Sequence, residues 1–228
     1  MSGLVDFTSK LERLAEPVRL AGAPLGDRAH ICAFVNNEDA YRLLLPFLKD
    51  ALENGEKAVQ TVDPQRREEH ASQLSSAGIA VSGLGQQGQF ELLDWRQTHL
   101  LDGKFDGSKT LAFFDGIVKE ARRDGFSRTR FVTRMEWFLE SEINALELLK
   151  YEAAANDMWM RQERPVNPII CAYDLSLFDV DVAINVLQTH PMVILGGFLQ
   201  ENPFFVEPAE FLKSLGEKTW LKTRRARL

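Results

Sequence analysis

The chain has 228 residues, 45% of them hydrophobic, which is enough to bury a sizeable core. A formal net charge of −6 excludes a global field that would attract nucleic acid or an acidic membrane surface. The longest apolar run, 192–199, is far shorter than the roughly 20 residues that span a bilayer, and the first residues lack the features of a secretory signal. We therefore expect a cytoplasmic protein with no membrane partner, and direct nucleic-acid binding is not expected.

The elements predicted along the chain begin with a short amphipathic helix between Leu4 and Val18, where apolar residues recur every three or four positions. Buried strands are predicted at about 29–35, 57–62, 90–95, 129–135, 168–173 and 192–195. Helices are predicted between them at about 39–54, 64–76, 108–124, 141–156 and 179–189. Strands that alternate with helices of this length indicate right-handed crossovers. The predicted fold class is thus α/β, a three-layer sandwich with a mostly parallel central sheet.

The bend after the first of these strands has the wrong composition for a phosphate loop. It reads Asn36-Asn37-Glu38-Asp39, without the glycines whose N–H groups converge on an anion and without the lysine that neutralises it. Two carboxylates in the first helical turn already complement the partial positive charge of the helix N-terminus, so they would repel a phosphate. ATP is therefore not expected as a cofactor, and the site should suit a neutral or cationic ligand, or a metal.

Several short motifs, taken in order, resemble a known family. They are HICAFVNNEDAYRLLLPFLKDALENGEKAV, FDGSKTLAFFDGIVKEA, RMEW, LLKYE, ICAYD and THPMVILGGFLQENPFFVEP. Over about residues 28–212 the chain resembles the MEDS domain, the methanogen/methylotroph sensory domain first recognised in the regulator DcmR. The resemblance implies a RecA/KaiC-like fold without a functional phosphate loop. It also implies a sensor of small organic, hydrocarbon-derived molecules, usually attached to a histidine kinase or a DNA-binding output domain.

The flanks of this domain are too short to hold such an output domain. We expect an N-terminal extension over 1–27, the sensory domain over 28–212 and a basic tail over 213–228, whereas independent domains rarely fall below about 50 residues. The signal should therefore pass in trans to a partner protein of the histidine-kinase or transcription-regulator class. The extension and the tail are the expected contact elements, including those of a possible homodimer.

Two predicted strands carry side chains that suit a ligand site. His30 and Cys32 are two residues apart on one strand face, and Cys171 and Tyr173 repeat the spacing on a later strand. If those strands are neighbours, as the resemblance implies, His30, Cys32 and Cys171 could converge with His190 on Zn²⁺ or another borderline metal. The alternatives are an organic-ligand pocket that includes some of these residues, which we favour, and simple core packing.

Three further residues lie where a strand is predicted to end. Glu136 and Trp137 follow one strand and could line an apolar pocket, although a lone tryptophan often only closes a core. Asp174 follows another strand, where helix capping is the more frequent role of an acid. The predicted ligand-binding residues are His30, Cys32, Glu136, Trp137, Cys171, Tyr173 and Asp174.

The remaining ionisable residues gave less specific expectations. Glu152 is predicted to fall late in a helix, with Arg161 or Arg164 as its partner, because a glutamate there opposes the helix dipole. His70 and His99 have no acid or nucleophile at a suggestive spacing and are predicted to lie on the surface.

No complete catalytic motif is present, so we do not expect an enzyme. A nucleophile turn G-x-S-x-G is missing, and a Cys32–His30 thiolate pair would be about 6.6 Å apart along the strand. The favoured function is a stand-alone sensor of a small organic ligand. The alternatives are a metal-dependent or vestigial nucleotide-binding enzyme and a protein-interaction module without a ligand.

Overall fold

A computed structural model describes residues 18–79, 81 and 88–215. Nearly all of the predicted N-terminal helix and of the basic tail lie outside these residues. Within them, no helix combines the length and the apolar character needed to cross a bilayer.

A central sheet organises the described residues. Its strands are β3 His30–Phe34, β4 Lys57–Val62, β5 Phe90–Asp94, β6 Thr129–Arg134, β7 Ile169–Tyr173, β8 Met192–Leu195 and β9 Phe198–Glu201. Their spatial order is β5-β4-β6-β7-β3-β8-β9. All neighbouring pairs are parallel except β8 with β9. Two short strands ahead of the sheet, β1 Arg19–Leu20 and β2 Ala23–Pro24, form a separate hairpin.

Helices cover both faces of the sheet. They are α1 Asn37–Glu53, α2 Arg67–Ser76, α3 Gly107–Arg123, α4 Trp137–Glu140, α5 Ala145–Met160, α6 Val180–Leu187 and α7 Pro208–Leu215. Apolar residues of α1 and α2 pack on one face, against side chains such as Ile31 and Ile170. Those of α3, α5, α6 and α7 pack on the other, against side chains such as Cys32 and Phe131. The prediction of a three-layer α/β sandwich with a mostly parallel sheet is confirmed.

The amino ends of the central strands are closed by buried ion pairs. Glu56 accepts hydrogen bonds from Arg128, at 2.6 Å, and from Arg130, at 2.5 Å. Arg130 also contacts Asp50 at 2.7 Å. Glu56, Arg128 and Arg130 are buried, whereas the Asp50 side chain is partly exposed. In folds of this kind ligands collect at the opposite, carboxyl ends of the strands.

Candidate functional site

The strand that carries His30 and the strand that carries Cys171 are neighbours in the sheet, as expected. β3 and β7 pair in parallel with Cys32 opposite Cys171 and His30 opposite Ile169. Since side chains at i and i+2 of a strand share a face, His30, Cys32, Cys171 and Tyr173 all point to the face covered by α5.

A fully enclosed group of five side chains forms there, and we call it the sealed cluster: His30, Glu152, Cys171, Tyr173 and His190. The Oε2 atom of Glu152, from α5, lies 3.4 Å from Nε2 of His30 and 3.4 Å from Nε2 of His190. The Sγ atom of Cys171 lies 3.5 Å from the same His30 nitrogen. The Tyr173 hydroxyl donates to the other Glu152 oxygen, Oε1. Three of the predicted metal-ligand candidates, His30, Cys171 and His190, thus lie together. Glu152, which was not predicted as a ligand, lies with them.

The tautomer of His190 follows from its backbone contacts. Its Nδ1 lies 2.9 Å from the carbonyl oxygen of Val186, which can only accept, so Nδ1 carries the proton. In the neutral ring, Nε2 then presents a lone pair toward the Glu152 carboxyl group. Both Nε2 of His190 and Oε2 of Glu152 lack a hydrogen-bond partner among the described residues. Two acceptors facing each other in a buried site require a cation or a proton between them.

Burial controls protonation in the sealed cluster. Desolvation lowers the pKa of His30 to about 3 and that of His190 to about 3, so both imidazoles are neutral at pH 7. Desolvation also raises the pKa of Glu152, partly offset by His190 and by the Tyr173 hydrogen bond. The pKa of the Cys171 thiol is raised well above its ordinary value by the same cause. Burial therefore shifts each of these four groups toward its neutral form.

The prediction for Glu152 was wrong. Helix α5 continues to Met160, so Glu152 lies in its middle and is fully buried against the sheet. Arg161 instead pairs with Asp157 at 2.8 Å, and Arg164 pairs with Asp27. The sequence held a usable signal, because a spacing of three or four from Leu148, Leu149 and Asn156 places Glu152 on the buried helix face.

Cys32 lies on the same sheet face but outside the sealed cluster. It is fully buried, and the group of ligand atoms that lie within 4.8 Å of one another contains His30, Glu152, Cys171 and His190 without it. Trp137 is also buried, between the rings of Phe105 and His99 at centroid distances of 4.6 and 4.7 Å. Both residues form part of the apolar core on this face.

A second, open site lies at the carboxyl ends of β4, β5, β6 and β7. We call it the strand-end cleft; its volume is about 270 Å³ and its lining is Asp63, Arg66, His70, Trp95, Arg134, Glu136, Leu139, Glu140, Asp174 and Leu177. Two of the predicted ligand-binding residues, Glu136 and Asp174, lie here. The other five do not line this cleft. The sequence prediction therefore combined residues from separate regions of the structure into one site.

Charged groups in the strand-end cleft are largely paired. Arg134 donates to Glu136 at 2.7 Å, and Arg66 donates to Glu69 at 2.7 Å. The Asp174 carboxylate accepts from the backbone N–H of Ser176 at 2.9 Å. Four carboxyl groups and two guanidinium groups line the cleft, so its charge is net negative.

Two histidines predicted to lie on the surface are buried, so those predictions were wrong. His70 is 2% exposed, and its Nδ1 lies 2.6 Å from the Tyr41 hydroxyl. Desolvation, with Arg134 and Arg66 nearby, lowers the pKa of His70 to about 4. His99 is 1% exposed, and desolvation lowers its pKa to about 3. Neither residue had a neighbour in the sequence that revealed its burial.

A known family matches the part of the chain that contains both sites. The model described as "MEDS: MEthanogen/methylotroph, DcmR Sensory domain" matches residues 29–191. The chain belongs to the MEDS family. No curated protein matches it. The MEDS match includes every residue of the sealed cluster and of the strand-end cleft.

In this MEDS chain the bend between β3 and α1 is occupied by its own side chains. Asn36 caps α1 by accepting from the backbone N–H of Asp39 at 2.8 Å. Asp39 in turn pairs with Arg42 at 2.6 Å. The carboxylates of Glu38 and Asp39 stand in the first turn, where they complement the helix dipole.

Proposed function

We propose that this MEDS chain senses a small neutral or cationic organic molecule, of a hydrocarbon-derived class, in the strand-end cleft. The observation that carries the proposal is the lining of the cleft. The apolar side chains Trp95, Leu139 and Leu177 lie there beside four carboxyl groups and two guanidinium groups, which give a net negative charge. An anion would be repelled, and a volume of about 270 Å³ suits a molecule of a few heavy atoms. The site lies where open α/β sheets bind ligands.

We further propose that a partner protein reads the ligand through the segment that leaves the cleft. Asp174 and Leu177 line the cleft, and α6 begins three residues later. The α6 residues Val180 and Ile184 are 71% and 55% exposed, one helical turn apart, and form an apolar face. A ligand that favours one arrangement of this segment would shift its population and change what the partner meets. A kinase or a transcription regulator is the expected class.

We infer that the fold derives from a RecA/KaiC-type ATPase domain and no longer hydrolyses ATP. The support is the mostly parallel sheet together with the capped, acidic first turn of α1. Addition of Mg-ATP should therefore give neither a shift in melting temperature nor phosphate release.

The cleft is tested with a panel of short-chain alcohols, alkylamines, halogenated alkanes and, as anions, short-chain carboxylates. Saturation-transfer NMR on the full chain should detect binding by a neutral or cationic class and none by the carboxylates. Leu139→Trp, which places a larger side chain in the cleft, should abolish the signal. Met160→Trp, at a residue 42% exposed and outside the lining, should leave it unchanged.

Hydrogen exchange with the bound probe tests the route to the partner. Protection should change within residues 174–184 and stay constant in the buried strand β4. Preferential binding of carboxylates, or binding that survives Leu139→Trp, would contradict the cleft proposal. Constant exchange at 174–184 would contradict the partner route alone.

A further inference from the structure

We propose that His30, Glu152, Cys171 and His190 form a closed, four-ligand site for a divalent transition metal, with Zn²⁺ the best match. The site goes beyond the proposed sensing function, because it uses none of the residues that line the strand-end cleft. The four ligand atoms are two imidazole nitrogens, one carboxylate oxygen and one sulfur, a set that suits a borderline metal.

The distances between ligand atoms match those around a tetrahedral ion. Metal bonds of about 2.0–2.3 Å require ligand atoms about 3.3–3.6 Å apart. The two nitrogen-to-Oε2 distances are 3.4 Å, and the sulfur-to-nitrogen distance is 3.5 Å. All remaining pairs lie within 4.8 Å, so closing the tetrahedron needs movement on the order of 1 Å. These distances are also too long for good N–H···O hydrogen bonds, which lie at about 2.7–3.2 Å.

Charge balance points to the same ion class. Two neutral imidazoles, one carboxylate and one thiolate carry two negative charges, which a divalent cation cancels. The thiol and any carboxyl proton leave to solvent as the metal binds. A neutral complex is the form of this cluster that can remain buried without an uncompensated charge.

Supporting contacts for two ligands are already present. The Tyr173 hydroxyl donates to Oε1 of Glu152 and leaves Oε2 free, while the Val186 carbonyl holds the Nδ1 proton of His190. Second contacts of this kind orient metal ligands in proteins. The rings of His30 and His190 are stacked with centroids 3.9 Å apart, at 27°. One ring must turn on binding, since a metal lies in the plane of each imidazole that it binds.

The coordination leaves no open position and no path for a substrate, because all four ligands are buried. Closed four-ligand sites of this type stabilise a fold, whereas catalytic sites keep one position for water or substrate. The proposed ion is therefore structural, and it ties β3 and β7 to α5 and to the loop that follows α6.

The test is refolding of the full chain, after denaturation with a chelator, in the presence of one equivalent of Zn²⁺ or Co²⁺. We expect one metal per chain and, with Co²⁺, the visible bands of a tetrahedral ion and a thiolate charge-transfer band. Cys171→Ser should abolish the charge-transfer band and weaken metal affinity by more than about 100-fold. Cys32→Ser is the matched control, since Cys32 lies opposite Cys171 and is equally buried.

Two outcomes would overturn the proposal. One is a refolded wild-type chain that takes up no metal and keeps its melting temperature under chelation, which would mean that a proton alone joins Glu152 to the histidines. The other is an equal effect of the Cys32 and Cys171 substitutions on the charge-transfer band. If Cys171→Ser fails to fold, the spectrum of the wild-type Co²⁺ protein decides. The probe-binding experiment on the cleft is independent of each result.

Discussion

The sealed cluster and the strand-end cleft both place carboxylates near histidine, but they treat charge in opposite ways. In the cleft, Glu136 is paired with Arg134, and Asp174 accepts a backbone N–H. In the sealed cluster, Glu152 has one hydroxyl donor and two neutral imidazoles. Paired charges at a rim can rearrange around a ligand, whereas an enclosed carboxyl group fixes its surroundings. The strand-end cleft is therefore suited to binding a ligand from solvent, and the sealed cluster to stabilising the fold.

Removing a carboxyl group from each region should show the largest difference. Glu152→Ala leaves the Tyr173 hydroxyl without its acceptor and opens a cavity, so we expect a loss of about 3–5 kcal/mol in the free energy of unfolding. Glu140→Ala, at an exposed residue of the cleft lining, should change it by less than about 0.5 kcal/mol. Urea unfolding of both variants measures the two values. Equal losses would erase the distinction between the regions.

Lowering the pH should destabilise the fold through His70, a buried residue at the edge of the cleft. Its pKa of about 4 lies below the ordinary value of 6.5, so the unfolded chain binds a proton first as pH falls. The stability that neutral His70 contributes is therefore complete above about pH 6.5 and declines toward pH 4. Between pH 7 and pH 5 this one residue should cost about 2 kcal/mol.

The measurement is urea unfolding of the wild type and of His70→Gln at both pH values. Arg66, Arg134, Glu69 and the Tyr41 hydroxyl face this ring and remain in the variant. The variant should lose about 2 kcal/mol less than the wild type on acidification. An equal loss of unfolding free energy in the two proteins would show that His70 is solvated, like the rest of the cleft rim.

A smaller loss than at Glu152 or His70 is expected at Asp174, on the rim of the cleft. Asp174→Ala removes an acceptor from the backbone N–H and the hydroxyl of Ser176, at 2.9 and 2.6 Å. A turn stabilised in this way should lose about 0.5–1.5 kcal/mol. Asp174→Asn keeps an acceptor oxygen and should recover most of that loss in the same unfolding experiment. A loss above about 3 kcal/mol would place Asp174 with the sealed cluster in energetic terms.

The sequence was sufficient for the parallel strands but not for the edge of the sheet. β3, β4 and β7 are short runs of mostly apolar or β-branched residues with clear boundaries, and each lies within about a residue of its predicted place. β9 was missed because 192–199 reads as one apolar run. Gly196 and Gly197, at φ of +57° and +87°, make a two-residue turn inside it and pair Leu195 with Phe198. Two adjacent glycines were the available signal.

The candidate site was only partly predictable for a physical reason. Strand periodicity, which is local, placed His30 and Cys32 on one face of their strand and Cys171 and Tyr173 on one face of theirs. That the two strands are neighbours was expected only from the family resemblance. The spacing within α5 could place Glu152 on the buried helix face. Its meeting with the two histidines depends on how α5 is rotated over the sheet, which is set by packing across the whole face. The burial of His70 and His99 likewise depends on distant elements, including the partner hydroxyl of Tyr41 from α1.

The enclosure of the histidines affects how the molecule responds to its medium. The chain has four histidines, and all are buried with pKa values of about 3 or about 4. Imidazole is the side chain that ordinarily titrates near neutrality. The histidine charge of the folded chain is therefore constant between about pH 6 and pH 8. Modest acidification of the surroundings therefore leaves the histidine contribution to the surface potential unchanged.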